Sequence, residues 1–280
     1  MTNIDQMEGA SAWPVTTNGP MDAERLWSAA SVAFSICTLV TNFSQYRQMI
    51  SSFKEKGFSN NVEFIYIDNS KGNNFDAYEG VNLFLNVARG EFIIICHQDV
   101  VLEFDGRDRL EAVIADLEAL DPAWAAFGNA GGVSPGRLAL RISDPHGEDS
   151  HLGELPCKTT ALDENFIVVK RRANLSVSRD LAGFHLYGAD LCALADIAGH
   201  SCYVADFHLR HLSGGLADER YAQVRESFRK KYARAFRSRW VTTTCGAVYL
   251  SGGRVVSGMM NASLVRRAVR RAALISQALI

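Results

Sequence analysis

The stretch Gly90-Glu91-Phe92-Ile93-Ile94-Ile95-Cys96-His97-Gln98-Asp99-Val100 decides how the rest of this 280-residue chain is read. It opens on a glycine, runs through an apolar block and closes on three polar residues. A short apolar block bounded by a turn signal reads as a strand buried on both faces, as in a parallel sheet. Open α/β sheets bind ligands outside the carboxyl ends of their strands. His97, Gln98 and Asp99 therefore stand at the mouth of the sheet, where a metal or substrate would sit. The plainer alternative is that Asp99 caps the turn that follows.

Upstream, residues 32–40 read as a buried strand ending at Thr41-Asn42, and Ser44 caps a helix over 44–56. Residues 62–67 alternate and are β-branched, a second strand that ends at Asp68-Asn69-Ser70. A loop with Gly72, Asn73 and Asn74 leads into a helix over 75–88 and then the central strand. Strand–helix–strand–helix–strand is the pattern of a parallel sheet built from right-handed crossovers. All three strands end in polar residues (Asn42, Asp68, Asp99), and that convergence predicts a nucleotide or metal site above the sheet. No G-x-G-x-x-G follows the first strand and no G-x-x-x-x-G-K-[ST] occurs, which speaks against dinucleotide and P-loop readings.

Downstream, the pattern gives an amphipathic helix over 107–120, closed by Pro122, and strands over 124–127 and 138–142. A flexible turn over 128–132 separates those strands. Residues 144–156 are polar and read as a surface loop or lid, and 166–169 as another buried strand. Asp190 stands at a helix N-terminus, with Gly199 ending that helix. A short strand over 202–204 precedes the segment containing His208 and His211. Two helical patterns close the chain, over 218–237 and 262–279. In the second, Arg266, Arg267, Arg270 and Arg271 oppose Leu264, Ala268, Ile275 and Leu279.

The composition, 48% hydrophobic and 21% charged, is that of an ordinary soluble α/β protein. No apolar run is long enough to span a bilayer, and the N-terminus lacks the basic-then-apolar pattern of a secretory signal. Residues 1–30, with Pro14, Gly19 and Pro20, read as a mobile leader. Six scattered cysteines without a C-x-x-C pair argue for reduced thiols in a cytoplasmic protein, against a disulfide framework or structural zinc. The net charge of −2 hides an asymmetry: from position 204 onward there are 14 Lys/Arg against 4 Asp/Glu, and before it 15 against 27. Such a tail suits an anionic partner. With few aromatics beyond Tyr221, Tyr232 and Trp240, it does not read as a nucleic-acid surface.

Taken in order, Thr41-Asn42, Asp68-Asn69-Ser70, the segment 74–82, His97-Gln98-Asp99, Tyr187-Gly188-Ala189-Asp190-Leu191-Cys192, and His211 before Ser213-Gly214-Gly215 carry a resemblance. Together they resemble the family-2-type glycosyltransferases of the GT-A fold, particularly a bacterial branch whose metal motif reads H-Q-D. The resemblance covers about 31–215. It implies an α/β GT-A domain there, a central mostly parallel sheet flanked by helices. Residues 1–30 would be a flexible leader and 216–280 a basic helical C-terminal extension.

The resemblance further implies an inverting, hexosyltransferase-type enzyme of cell-surface polysaccharide synthesis. It would move a sugar from a nucleoside-diphosphate sugar to a hydroxyl of a glycan, lipid-linked glycan or protein. On that mapping Asp68 hydrogen-bonds the base, Asn42 and Asn82 line the nucleoside pocket, and Thr41, Asn69 and Gln98 complete the donor site. Asp99 matches the last acid of the D-x-D motif and would hold a divalent cation, Mn²⁺ or Mg²⁺, that neutralises the leaving diphosphate. His97 replaces the first acid, and imidazole suits Mn²⁺ better than Mg²⁺. His211 would reach the metal or the diphosphate. Asp190 matches either the general base, which takes the acceptor proton, or a more structural acid before the leucine. The ambiguity arises because the family reads G-E-D-x-D-L-C where this chain has G-A-D-L-C.

Two other readings compete. One is a catalytically dead GT-A-like module that binds sugar or nucleotide. The other is a sugar nucleotidyltransferase, which would carry a glycine-rich loop with Arg and Lys where this chain has Asn42-Phe43-Ser44-Gln45. The last helix reads either as a peripheral contact at the inner face of a membrane or as packing against the domain.

Overall fold

A computed structural model describes residues 31–214 and 219–277. The leader expected over residues 1–30, with Gly215 and Leu279, lies outside the described residues. The chain starts with β1 (Val32–Val40), α1 (Phe43–Glu55), β2 (Val62–Asp68), α2 (Ala77–Val87), β3 (Gly90–Cys96), β4 (Val100–Val101) and α3 (Arg107–Leu120). A strand-rich segment follows: β5 (Trp124–Gly128), β6 (Ala130–Ser134), β7 (Arg137–Asp144), β8 (Gly147–Leu152), β9 (Cys157–Thr159), β10 (Ala161–Leu162) and β11 (Phe166–Lys170). Then come α4 (Tyr187–Ile197), β12 (Ser201–Val204), β13 (Leu209–His211) and α5 (Glu219–Ala235). The last elements are β14 (Arg239–Thr242), β15 (Ala247–Leu250), α6 (Arg254–Met260) and α7 (Ser263–Gln277).

The fold is α/β, with a central mixed sheet flanked by helices. Its order is β2-β1-β3-β11-β5-β12-β9. Strands β2, β1, β3, β5 and β12 run one way, and β11 and β9 run against them. The central strand is buried on both faces, as its apolar run requires. Ile94 and Cys96 join the core beneath α1 and α3, while Ile93 and Ile95 join the one beneath α2 and α4. Gly90 opens it because β1 passes too close for a side chain: a Cβ there would stand 2.5 Å from the Ser35 amide nitrogen.

Local chemistry departs from the sequence reading at three places. Helix α1 is capped by Asn42, whose Oδ1 accepts from the amides of Ser44 and Gln45, and not by Ser44. The expected flexible turn over 128–132 is largely the start of β6, whose small residues allow close pairing with β7 and β10. The expected loop over 144–156 contains β8, the outer strand of a hairpin on β7. These strands belong to a second sheet, β10-β6-β7-β13-β4, that the sequence did not foretell. Helix α5, assigned from sequence to the extension, buries Val224 and Tyr232 against the domain. All six cysteines are free thiols.

Candidate metal and nucleotide site

Strands β1, β2 and β3 are parallel, so their carboxyl ends share one edge of the sheet. The turn His97-Gln98-Asp99 leaves β3 there and enters β4, which crosses to the second sheet. Strand β13 pairs with β4, placing His211 opposite Val100, and the Leu212 amide donates to the Asp99 carbonyl at 3.0 Å. That ladder brings a residue 112 positions downstream of Asp99 against it.

His97 Nδ1 stands 3.3 Å from His211 Nε2, and His211 Nε2 stands 3.3 Å from Asp99 Oδ1. Ser213 Oγ is a further neighbour of that nitrogen, at 3.4 Å. One nitrogen thus faces three polar partners, whereas a single N–H can satisfy one of them. Donor atoms of His97, Asp99 and His211 all lie within 4.8 Å of one another. Two imidazoles and a carboxylate converging in this way fit a divalent cation.

The electrostatics agree with that fit. Burial would raise the Asp99 carboxyl, but hydrogen bonds from His211 and Ser213 outweigh it and hold the group well below the usual carboxylate range. Burial lowers the His97 imidazole, and His211 beside it acts the same way. A neutral imidazole and an ionised carboxylate are the forms that bind metal.

Gln98 sits between the two strand ends and clamps them. Its Oε1 accepts from the amides of Thr41 and Asn42, both at 2.8 Å, and its Nε2 donates to Thr41 Oγ1 at 2.8 Å. Thr41 borders a cleft of about 660 Å³, also lined by Asn73, Leu181, Phe184, His185 and Arg220. Asp68 pairs with Val40 at the end of β2. Its Oδ1 accepts from the Ser70 amide and hydroxyl, at 2.8 and 2.6 Å, which holds the carboxyl below its ordinary range. Asn69 is buried, and its side chain closes the loop through Phe75 and Asn74.

Asn82 lies away from this cluster. It exchanges two hydrogen bonds with the Val177 backbone, at 2.9 and 3.1 Å, joining α2 to the segment before α4. Its amide nitrogen and oxygen each hold the Val177 backbone.

Asp190, the base candidate of the sequence, is enclosed in the protein interior. The residue is 0% exposed. Its carboxylate accepts from the Ser178 amide (2.6 Å), the Ser178 hydroxyl (2.8 Å) and the Tyr232 hydroxyl (2.7 Å). With no exposed surface, this carboxylate has no access to an acceptor hydroxyl, whereas Glu164 is only partly buried. Through Tyr232, Asp190 ties α4 to α5.

Three further residues stand at the site, and of these only Tyr187 belonged to a motif quoted from the sequence. Strand β11 is reversed, so it begins at the edge where β1–β3 end. Asn165, just before it, accepts from the His97 amide at 2.9 Å, and Glu164 lies beside that edge. Glu164 Oε1 accepts from the Gly188 amide at 3.3 Å. The Tyr187 hydroxyl lies 3.1 Å from the Glu164 carbonyl and 3.4 Å from His97 Nε2. Burial, then Asp163, push the Glu164 carboxyl up to about 8. Only the pairing of β11 with β3 reveals these contacts.

No family model matches the chain. It is 38% identical over 233 residues to "ATP synthase subunits region ORF 6" of Fuscovulum blasticum, spanning 80% of this chain and 93% of that protein. The chain belongs to the same family as that protein. Three solved structures overlap it loosely. The mannosyltransferase PcManGT from Pyrobaculum calidifontis in complex with GDP-Man and Mn²⁺ is 14% identical, TM-score 0.48, over 72% of this chain and 64% of that one. Residues 1–349 of S. aureus TarS are 10% identical, TM-score 0.43, over 65% and 60%. A197 from STIV is 12% identical, TM-score 0.40, over 67% and 87%. With TM-scores below 0.5, these overlaps carry no argument about function.

Proposed function

We propose that the protein is a metal-assisted glycosyltransferase that moves a hexosyl group from a nucleoside-diphosphate sugar to a hydroxyl acceptor with inversion. The observation that carries this reading is the convergence of His97, Asp99 and His211 at the carboxyl ends of β1–β3, where Gln98 ties the same turn to Thr41 at the border of an open cleft. His97, Asp99 and His211 would hold a divalent cation, which supplies positive charge against the leaving diphosphate. Gln98 fixes the Thr41-Asn42 turn as the floor of the donor cleft. Asp68 Oδ1 is engaged by Ser70, and its other oxygen is left to accept from a base N–H.

The chain's basic end supports a place for the enzyme at a membrane surface, where a lipid-linked acceptor would be met. No Asp or Glu follows Glu226, whereas eleven Lys/Arg do. In the same stretch Phe236, Val255, Met259 and Leu264 are left 61%, 75%, 67% and 76% exposed. Exposed apolar side chains beside an excess of cations fit the interface of an anionic bilayer. Among the described residues no helix is long and apolar enough to cross one.

A second reading, a nucleotide-sugar binder without turnover, draws on the burial of Asp190. Nucleoside-diphosphate release from UDP-glucose and GDP-mannose in the presence of Mn²⁺ separates the two. An enzyme releases UDP or GDP catalytically, and a binder releases neither while still being stabilised by the nucleotide.

A further inference from the structure

With Asp190 enclosed, the site needs another proton acceptor, and the start of α4 shows where one is and is not available. Gly188 cannot be replaced by an acid: a Cβ there would stand 2.2 Å from the Leu162 carbonyl oxygen. The helix enters through Leu186, a non-glycine residue at φ 64°, a conformation that is held only where its surroundings enforce it. This turn sets the direction of the first amides of α4, at Tyr187 and Gly188. The carboxylate that meets them comes from a different element: Glu164 Oε1, 3.3 Å from the Gly188 amide. Its loop is bonded to the metal-site strand twice, by His97 N–H to the Asn165 carbonyl and by the Tyr187 hydroxyl between Glu164 and His97.

We propose that Glu164 is the general base of this site. The inference rests on the glycosyltransferase reading and deepens it. As the acceptor oxygen bonds to the anomeric carbon, its proton passes to the Glu164 carboxylate. The bond from the anomeric carbon to the phosphate oxygen breaks, and its electron pair leaves with the nucleoside diphosphate. Glu164 then returns the proton to solvent. A helix N-terminus stabilises the carboxylate form, while burial opposes it, so release should rise with pH as the Glu164 carboxyl ionises. The titratable groups facing it are Asp163 on its own loop, Tyr187 and Cys192 on α4 and Tyr78 on α2, with His97 beyond Tyr187.

The test compares the full-length chain with Glu164→Gln, which keeps an acceptor for the Gly188 amide, and with Glu164→Asp and Asp163→Asn. Two quantities are read: UDP and GDP release from UDP-glucose and GDP-mannose, and the Mn²⁺-dependent thermal shift with UDP and GDP. Glu164→Gln is expected to lower release about 100-fold or more with an unchanged nucleotide shift. Glu164→Asp should restore part of it, and Asp163→Asn should stay within a few-fold of the parent. Release by Glu164→Gln within threefold of the parent, or a loss confined to Asp163→Asn, overturns the assignment. Absence of any Mn²⁺-dependent shift in the parent overturns the glycosyltransferase reading itself, a different result from a shift that survives without the expected loss of release.

Discussion

The Tyr232 hydroxyl donates to Asp190 Oδ1 across 2.7 Å inside the protein, and the same carboxylate holds Ser178 by two further bonds. This contact makes α5 part of the domain that carries the site. It also encloses the Asp190 carboxylate. Hydrogen bonds to a charged group contribute roughly 1.5–3 kcal/mol each, and a buried partner left unsatisfied adds to the loss. Tyr232→Phe should therefore lower stability by about 1.5–3 kcal/mol in urea unfolding, with the Mn²⁺-dependent nucleotide shift retained in the folded protein. A variant of full stability that has lost only turnover would show that Asp190 acts in catalysis.

Gly188→Ala introduces a methyl where the Leu162 carbonyl already stands. Overpacking of this kind costs about 1–3 kcal/mol or more, and the helix start must shift to relieve it. The expected outcome is a lower melting temperature together with slower nucleotide release, because Glu164 loses its amide partner. A variant as stable as its parent would contradict the close packing at that turn.

Stability against pH reports on Glu164 without any substrate. Its carboxyl stands at about 8 against an ordinary 4.5, so the folded chain holds this proton more tightly than the unfolded chain does. The linked contribution is complete below pH 4.5 and is lost as pH rises through 8. The difference in unfolding free energy between the parent and Glu164→Gln should therefore drift against the parent across that window. His97 has the opposite sign: its imidazole is lowered, so its contribution is present above about 6.5 and is lost as pH falls. A parent-minus-variant difference that is flat from pH 4.5 to 8 would rule out the raised Glu164 carboxyl.

How much of this was legible in the sequence follows from the range of each interaction. Strands β1, β2 and β3 and helices α1 and α2 were readable because their periodicity is local and their ends carry polar residues. His97 and Asp99 were readable for the same reason, lying two residues apart at one strand end. The second sheet was not, because β6 and β10 are short, glycine-bearing or both, and acquire strand geometry only by pairing. The burial of Asp190 was equally hidden: an aspartate at a helix start looks the same from sequence whether it faces solvent or Tyr232. Glu164 reaches the site through the reversal of β11, a fact of topology that no local pattern encodes.

The basic end gives a prediction of its own. Partitioning to phosphatidylglycerol-containing vesicles should exceed that to phosphatidylcholine vesicles and should weaken with salt, as expected for cations at an anionic surface. The double substitution Val255→Glu and Met259→Glu, at exposed positions of α6, should reduce vesicle binding about tenfold or more and leave the melting temperature unchanged. Equal binding to both vesicle types, or tighter binding to single-stranded RNA than to either, would contradict a membrane role.

The measurement closest to the central claim is a thermal-shift titration of the purified chain with UDP and GDP, with and without Mn²⁺, alongside Asp99→Ala. A nucleotide at a hundred times its Kd stabilises by about 2.7 kcal/mol, a shift well within reach. The account predicts stabilisation by one of the two nucleotides that needs Mn²⁺ and disappears in Asp99→Ala. Stabilisation by neither nucleotide, or one indifferent to both the metal and Asp99, would contradict it.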